Sequence, residues 1–226
     1  MSSRQEFERD LSVLITRLTK DSTEETGKKL NVLKDWLLKL RKENVVKINH
    51  SVMELVCAKY LIEKGYEVQL EYPLNQILTC DLYATKGLEN LIVEIETGFI
   101  PPESALCPLT YTSARLASKI LRYCSFAGKF ALGMPPHYIL PFPRALAKPP
   151  RNRTEEEIAK IKRLCDAYYQ KPPIELEEIR NARIHEIYVV DVDHVSVLEL
   201  DPETYLKRAI KRGIVYDYMP IEIREQ

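Results

Sequence analysis

The run Leu91-Ile92-Val93 constrains this chain more than any other short stretch. Consecutive apolar residues without polar alternation read as a strand covered on both faces. The same strand continues into Glu94-Ile95-Glu96-Thr97, so two carboxylates follow directly on a doubly covered segment. Side chains alternate across a strand, which puts Glu94 and Glu96 on the face of Ile92 and leaves Val93, Ile95 and Thr97 on the other. An unpaired carboxylate is costly in such a place, and a hard cation is a partner that buried acids take. Residues two apart on a strand are separated by about 6.5 Å, so flexible carboxylates can converge on one ion if an adjacent strand adds a third. Asp81, in Leu78-Thr79-Cys80-Asp81-Leu82-Tyr83-Ala84, is placed to do so. The spacing alone also fits an ordinary Ile-Glu-Ile-Glu edge strand with one solvated face.

Around this stretch the chain alternates between helical and extended patterns. Phe7, Leu11, Leu14, Ile15 and Leu18, then Leu30, Leu33, Trp36, Leu37 and Leu40, recur at helical spacing over 5–20 and 25–43, which predicts an N-terminal helical hairpin. A third helix is expected from about His50 to Lys64, ended by Gly65, with Glu54 at the border of its apolar stripe. Three alternating segments, 66–72, 78–84 and 91–97, read as an antiparallel meander. A helix over about 112–123 and a strand over 129–134 follow. Beyond residue 140 the prolines and basic residues of 141–153 read as a flexible, positively charged connection. Thr154-Glu155-Glu156-Glu157 is a capping signal for a helix to about Tyr169, and the strand pair 184–190 and 195–200 precedes a last helix. Asp191-Val192-Asp193-His194 between those strands reads as a hairpin turn rather than a metal motif. The organisation expected is an N-terminal extension (1–46), a core (47–140) and a C-terminal extension (141–226).

Composition narrows the classes. With 226 residues, 45% hydrophobic, 29% charged and only 7 glycines, the chain has the make-up of a folded protein with one core and additions. Its 33 basic and 33 acidic side chains cancel, so any nucleic-acid surface must be local. No run of about 18 apolar residues occurs, and Met1-Ser2-Ser3-Arg4-Gln5-Glu6 has no apolar signal core, so the expectation is a cytoplasmic protein without a membrane partner. Cys57, Cys80, Cys107, Cys124 and Cys165 form no Cys-x-x-Cys pair and read mainly as small buried hydrophobes. The many Lys, Glu, Arg, Ile and Tyr residues suit a thermophile, archaeal or otherwise, without establishing one. No P-loop pattern is present.

A helix with an acid, a strand with Asp, a following strand with Glu-x-Glu, then a helix and another strand is similar to the core of the PD-(D/E)XK nuclease superfamily. That group includes archaeal Holliday-junction resolvases, RecB-type nucleases and many restriction enzymes. The resemblance covers roughly residues 48–135. It implies an α/β fold with a restriction-endonuclease-like mixed-sheet core, α-β-β-β-α-β, flanked by the N-terminal helical hairpin and an α+β C-terminal extension. Residue by residue, Glu54 matches the acid of the first helix, and Asp81 and Glu94 match the metal-binding acids, for Mg²⁺ or Mn²⁺. Glu96 stands where most members have a lysine. Some restriction enzymes carry Glu there and are active, while other members have lost the motif and only bind or scaffold. Lys119 and Tyr123 have the spacing of the Gln-x-x-x-Tyr of RecB-type members, and Lys119 is the candidate for a displaced lysine.

The function implied is metal-dependent hydrolysis of DNA phosphodiesters, with Glu96, Glu54 and Lys119 as catalytic residues and Asp81 and Glu94 on the metal. Independently of the resemblance, Arg115, Lys119 and Arg122 form one basic stripe at i, i+4 and i+7, which suits a phosphate backbone, and Tyr123 lies one position beyond. The residues leave RNA open as a substrate. They also leave open a catalytically inactive nuclease-like protein that binds nucleic acid or a protein partner. The N-terminal hairpin and the strands after 184 offer surfaces for a homodimer.

Overall fold

The structure, a computed structural model, describes residues 3–43, 46 and 48–211. Residue 47 and the segment 212–226, which the sequence-based divisions include, lie outside the described residues. The helices are α1 (Ser3–Thr19), α2 (Glu24–Lys42), α3 (Ile48–Glu63), α4 (Pro108–Tyr123), α5 (Glu155–Asp166), α6 (Leu176–Asn181) and α7 (Pro202–Lys211). The strands are β1 (Glu67–Pro73), β2 (Thr79–Lys86), β3 (Glu89–Ile95), β4 (Lys129–Met134), β5 (Glu186–Asp191) and β6 (Ser196–Leu200). The strands form one mixed sheet in the order β1-β2-β3-β4-β5-β6, and the fold is α/β. β1, β2 and β3 pair antiparallel in sequence order, the meander that the alternating segments predict.

Two units share the chain. Of the described residues, the first comprises those within 3–97, 132–137 and 188–199, and the second those within 98–131, 138–187 and 200–211.

In the first unit α1 packs on α2, both pack on α3, and α3 packs on β1, β2 and β3. The apolar stripes of the helical hairpin are buried as their spacing predicts (Phe7, Leu11, Leu14, Ile15 and Leu18 on α1, Leu30, Leu33, Leu37 and Leu40 on α2) except at Trp36, which is 38% exposed and donates its indole N–H to Leu70 O at 2.9 Å. Thr23 caps α2 by accepting the Thr26 N–H at 3.2 Å. Because α3 has helices on one side and strands on the other, its burial extends beyond one stripe. Ser51 and every residue from Met53 to Ala58 are buried, Glu54 among them. Gly65, at φ 86°, ends this helix: its N–H donates to Ile62 O at 2.9 Å and the Tyr66 N–H to Leu61 O at 3.0 Å. That doubly bonded left-handed cap favours a residue without Cβ, and it turns the chain directly into β1.

β3 is covered on both faces, as the apolar run predicts, with Leu91 through Glu96 all buried. The strand closes at Ile95, and the Glu96 N–H donates to Gly133 O at 2.7 Å. At the far end of the sheet, Asp191 Oδ1 accepts the His194 N–H at 3.0 Å and Oδ2 lies 2.8 Å from His194 Nδ1. Asp-x-Asp-His is thus a turn that folds on itself. Arg17 of α1 ties this turn down through the carbonyls of Val192 and Asp193, at 3.1 and 2.6 Å.

In the second unit α4 begins at Pro108, earlier than residue 112, because proline at the first helical turn sacrifices no hydrogen bond. α5 starts with the expected capping box between Thr154 and Glu157 but stops at Asp166, where the N–H groups of Tyr168 and Tyr169 both turn back to Cys165 O. The proline-rich segment 141–153 is not the loose connection its composition predicts. Phe142, Ala145, Leu146 and Ala147 are buried, and Arg153, only 8% exposed, donates to the carbonyls of Ala145, Lys148, Ile179 and Ala182. Four backbone acceptors around one guanidinium hold the segment to the end of α6. All five cysteines are free thiols; Cys57, Cys80 and Cys165 are buried, Cys124 is half-buried and Cys107 is exposed. Among the described residues no helix is long and apolar enough to cross a membrane.

Candidate metal centre

The β2–β3 ladder runs from Lys86↔Glu89 to Leu82↔Val93, and the next opposed positions are Asp81 and Glu94. There the side chains take over from the carbonyls. The Asp81 N–H donates to Glu94 Oε1 at 3.1 Å, and the Ile95 N–H donates to Asp81 Oδ2 at 2.5 Å. One oxygen of each carboxylate is thereby fixed by the sheet, and the two acids meet where the strands begin to part.

Glu54 comes to this place from α3. It is fully buried, and neither carboxylate oxygen has a hydrogen-bond partner among the described residues. Burial pushes its carboxyl well above the usual carboxylate range, and the negative charges of Asp81, Glu71 and Glu94 push it further. A buried polar group with no partner calls for a specific occupant, here a proton or a cation.

His50 supplies a neutral ligand that the sequence reading does not include. It precedes Glu54 by one helical turn, so both side chains leave α3 on the same side. One nitrogen of His50 and one oxygen each of Glu54 and Asp81 lie within 4.8 Å of one another. His50 Nε2 is also 3.4 Å from Thr97 Oγ1, a contact that orients the ring. The His-x-x-x-Glu spacing at 50 and 54 is the signal that sequence could have supplied. An imidazole with two carboxylates is a mixed nitrogen and oxygen donor set, in which carboxylate oxygens suit Mg²⁺ and Mn²⁺ and imidazole suits the later transition metals. The orphaned oxygens of Glu54 fit such an ion. Glu94 adjoins the group through its hydrogen bond to Asp81, and Glu96 is buried directly after β3.

Glu71, another carboxylate absent from the sequence reading, contributes to the field at Glu54 from β1. Cys57 and Cys80 line the same region as inert thiols: burial raises both well above the ordinary value, assisted by the neighbouring acids.

Arg115, Lys119, Arg122 and Tyr123 all lie on α4, in the second unit. Each is half-buried. Arg115 Nη1 donates to Phe99 O at 2.6 Å and its guanidinium lies 5.7 Å from the Tyr111 ring. Arg122 Nη2 donates to Pro172 O at 2.7 Å, and its guanidinium lies 5.7 Å from the Tyr169 ring. Tyr123 packs on Phe130 with ring centroids 6.4 Å apart. The helix carries three cations and no acid, in a chain whose total charge is zero. No protein-family model, curated protein or solved structure matches the chain.

Proposed function

We propose that this protein is a divalent-metal-dependent nuclease with a restriction-endonuclease-like core, acting on DNA phosphodiesters. The observation that carries the reading is Glu54: a fully buried carboxylate without a hydrogen-bond partner among the described residues, grouped with His50 and Asp81. The element order supports it, since a helix bearing the acid is followed by an antiparallel three-stranded meander, a helix and a strand that adjoins the third.

His50, Glu54 and Asp81 would hold Mn²⁺ or Mg²⁺, with Glu94 beside them. A cation there polarises a phosphate oxygen and lowers the pKa of bound water. The chain's own groups do the rest. Glu96 accepts a proton from the attacking water, in the position where most members of the superfamily the core resembles have a lysine. Glu94 and the Ile95 N–H keep Asp81 oriented through the hydrogen bonds at the parting of β2 and β3. Arg115, Lys119 and Arg122 supply positive charge for a phosphate backbone.

Glu96 in place of lysine favours a second reading, a nuclease-like protein that binds nucleic acid or a protein partner without cleaving. Calorimetric titration of Mn²⁺ and Mg²⁺ into the wild type and Asp81→Asn, paired with cleavage assays on single-stranded, duplex and branched DNA and on RNA, decides between them. Metal binding and cleavage that vanish together in the variant support the nuclease. Binding without cleavage of any substrate supports the silent alternative, and a wild type that binds neither metal overturns the metal centre itself.

A further inference from the structure

Among the described residues, two that are not glycine have a left-handed backbone: Val195 in the β5–β6 turn, and Glu71, at φ 49°, in the body of β1. A residue with a Cβ is strained in that conformation, and strands have little use for it. The ladder shows what it does. Leu70 pairs with Leu82 and Tyr72 with Cys80, while Glu71, opposite Asp81, drops out between them. The alternation of faces breaks at the same residue. Regular pleating would put Tyr72 on the face of buried Leu70 and Leu82, yet its ring stacks on Tyr83, centroids 4.6 Å apart and planes 16° from parallel. Tyr83 opposes Gln69, on the other face. The left-handed residue therefore sends Tyr72 to the face of Tyr83 and sits in the ladder opposite Asp81, one of the three grouped residues.

We propose that Glu71 belongs to the cation site, as the carboxylate that accepts hydrogen bonds from water bound to a divalent ion held by His50, Glu54 and Asp81. This rests on the reading of that group as a metal centre. The unpartnered, fully buried Glu54 carboxylate is the independent sign that an ion is to be held there. Glu71 lies outside the closest group of three, so it is a positioning residue and not a direct ligand. Mg²⁺ and Mn²⁺ sites commonly retain water, and removing an outer carboxylate typically weakens metal affinity by about 10- to 100-fold.

The test is Mn²⁺ titration of the wild type, Glu71→Gln, Glu71→Gly and Asp81→Asn, with thermal melts in EDTA. Glu71→Gln keeps the size and the strain but removes the charge, so Mn²⁺ affinity falls by about tenfold or more with the melting midpoint held. Glu71→Gly relieves the strain as well, so affinity falls while the metal-free midpoint rises. A Glu71→Gln protein that binds Mn²⁺ within about twofold of wild type, while Asp81→Asn does not bind, overturns the role of Glu71 and leaves the metal centre standing. A wild type that fails to bind Mn²⁺ removes the centre, and the role of Glu71 with it.

Discussion

Asp81 donates its backbone N–H to the Glu94 side chain at 3.1 Å, directly across from it on the neighbouring strand, and in turn accepts the Ile95 N–H on its own carboxylate at 2.5 Å. The candidate ligands thus double as the sheet's hydrogen-bond acceptors. Charge and hydrogen bonding at these positions can be separated by substitution. Asp81→Asn and Glu94→Gln keep an oxygen for each N–H, so both variants should melt close to wild type while losing metal affinity. Asp81→Ala leaves the Ile95 N–H without its acceptor, which should cost a further 1–3 kcal/mol or about that order. Thermal unfolding of the three variants in EDTA, beside Mn²⁺ titration, checks the split; equal destabilisation by Asn and Ala at 81 would contradict it.

Glu54 makes stability depend on pH with a defined sign. Burial and the adjacent acids raise its carboxyl well above the ordinary value of 4.5. Without a cation the folded state keeps a proton that the unfolded chain releases, so stability falls as pH rises from about 4.5 through the raised folded value. Each unit of that separation corresponds to about 1.4 kcal/mol. A divalent cation competes with the same proton, so metal affinity should increase with pH over this window and binding should release a proton. Melting midpoints in EDTA at several pH values, and titrations in buffers of different ionisation enthalpy, measure both effects. Glu54→Gln should abolish the component due to this residue, and an unchanged pH dependence in that variant would show that another group is responsible.

Much of this was legible in the sequence, for reasons that differ by residue. Gly65 after an apolar stripe foretold the left-handed cap, and Leu91-Ile92-Val93 foretold a strand buried on both faces, because both signals are local. Glu54 lay at the edge of a helical stripe, and only packing on both sides of α3 makes it fully buried. His50 carried a spacing signal, one turn before Glu54, but nothing local marks a histidine as a ligand. Glu71 was hidden by the pattern itself: Tyr66 to Tyr72 alternates regularly, and the left-handed residue that breaks the alternation has no sequence mark when it is not glycine. Segment 141–153 misled in the other direction, since its prolines and cations resemble an unpacked linker until Arg153 finds its carbonyls.

Arg153 should be among the most sensitive positions of the second unit. Burial lowers its pKa, and its guanidinium nitrogens serve carbonyls at 145, 148, 179 and 182. Lysine has a single ammonium and cannot span four acceptors of fixed direction, so Arg153→Lys is not conservative here. Loss of about 3 kcal/mol or more is expected for Arg153→Ala, and a clear part of it for Arg153→Lys. Chemical denaturation measures it, and a loss below about 1 kcal/mol for Arg153→Ala would mean that the carbonyls are satisfied without the guanidinium.

Gly98 has φ 82°, and a Cβ built on it would lie 2.5, 2.8 and 3.1 Å from atoms of the Tyr138 ring. An aromatic ring cannot bend away as the tip of an aliphatic chain can. Gly98→Ala therefore combines a left-handed penalty of about 1 kcal/mol with steric overlap and should destabilise by about 2 kcal/mol or more. Shrinking the obstacle tests the cause: Gly98→Ala combined with Tyr138→Ala should recover the steric share relative to Tyr138→Ala alone. A double-mutant cycle that shows no coupling between 98 and 138 would refute the overlap.

On α4 the three cations are not equivalent. Arg115 and Arg122 each hold a backbone carbonyl, of Phe99 and Pro172, and each lies over a tyrosine ring. Their removal disturbs the second unit whether or not they meet nucleic acid, so a loss of binding in those variants is ambiguous. For Lys119, four residues after Arg115 on the same stripe, the salt dependence of binding tests the proposed phosphate contact separately from any structural role. If it meets one phosphate, Lys119→Gln should weaken DNA binding similarly across sequences and reduce the slope of log affinity against log salt by about 1. Fluorescence anisotropy across a salt series, in EDTA so that cleavage does not intervene, measures that slope. An unchanged slope would remove Lys119 from the nucleic-acid surface and leave the stripe of α4 as a solvated helix face.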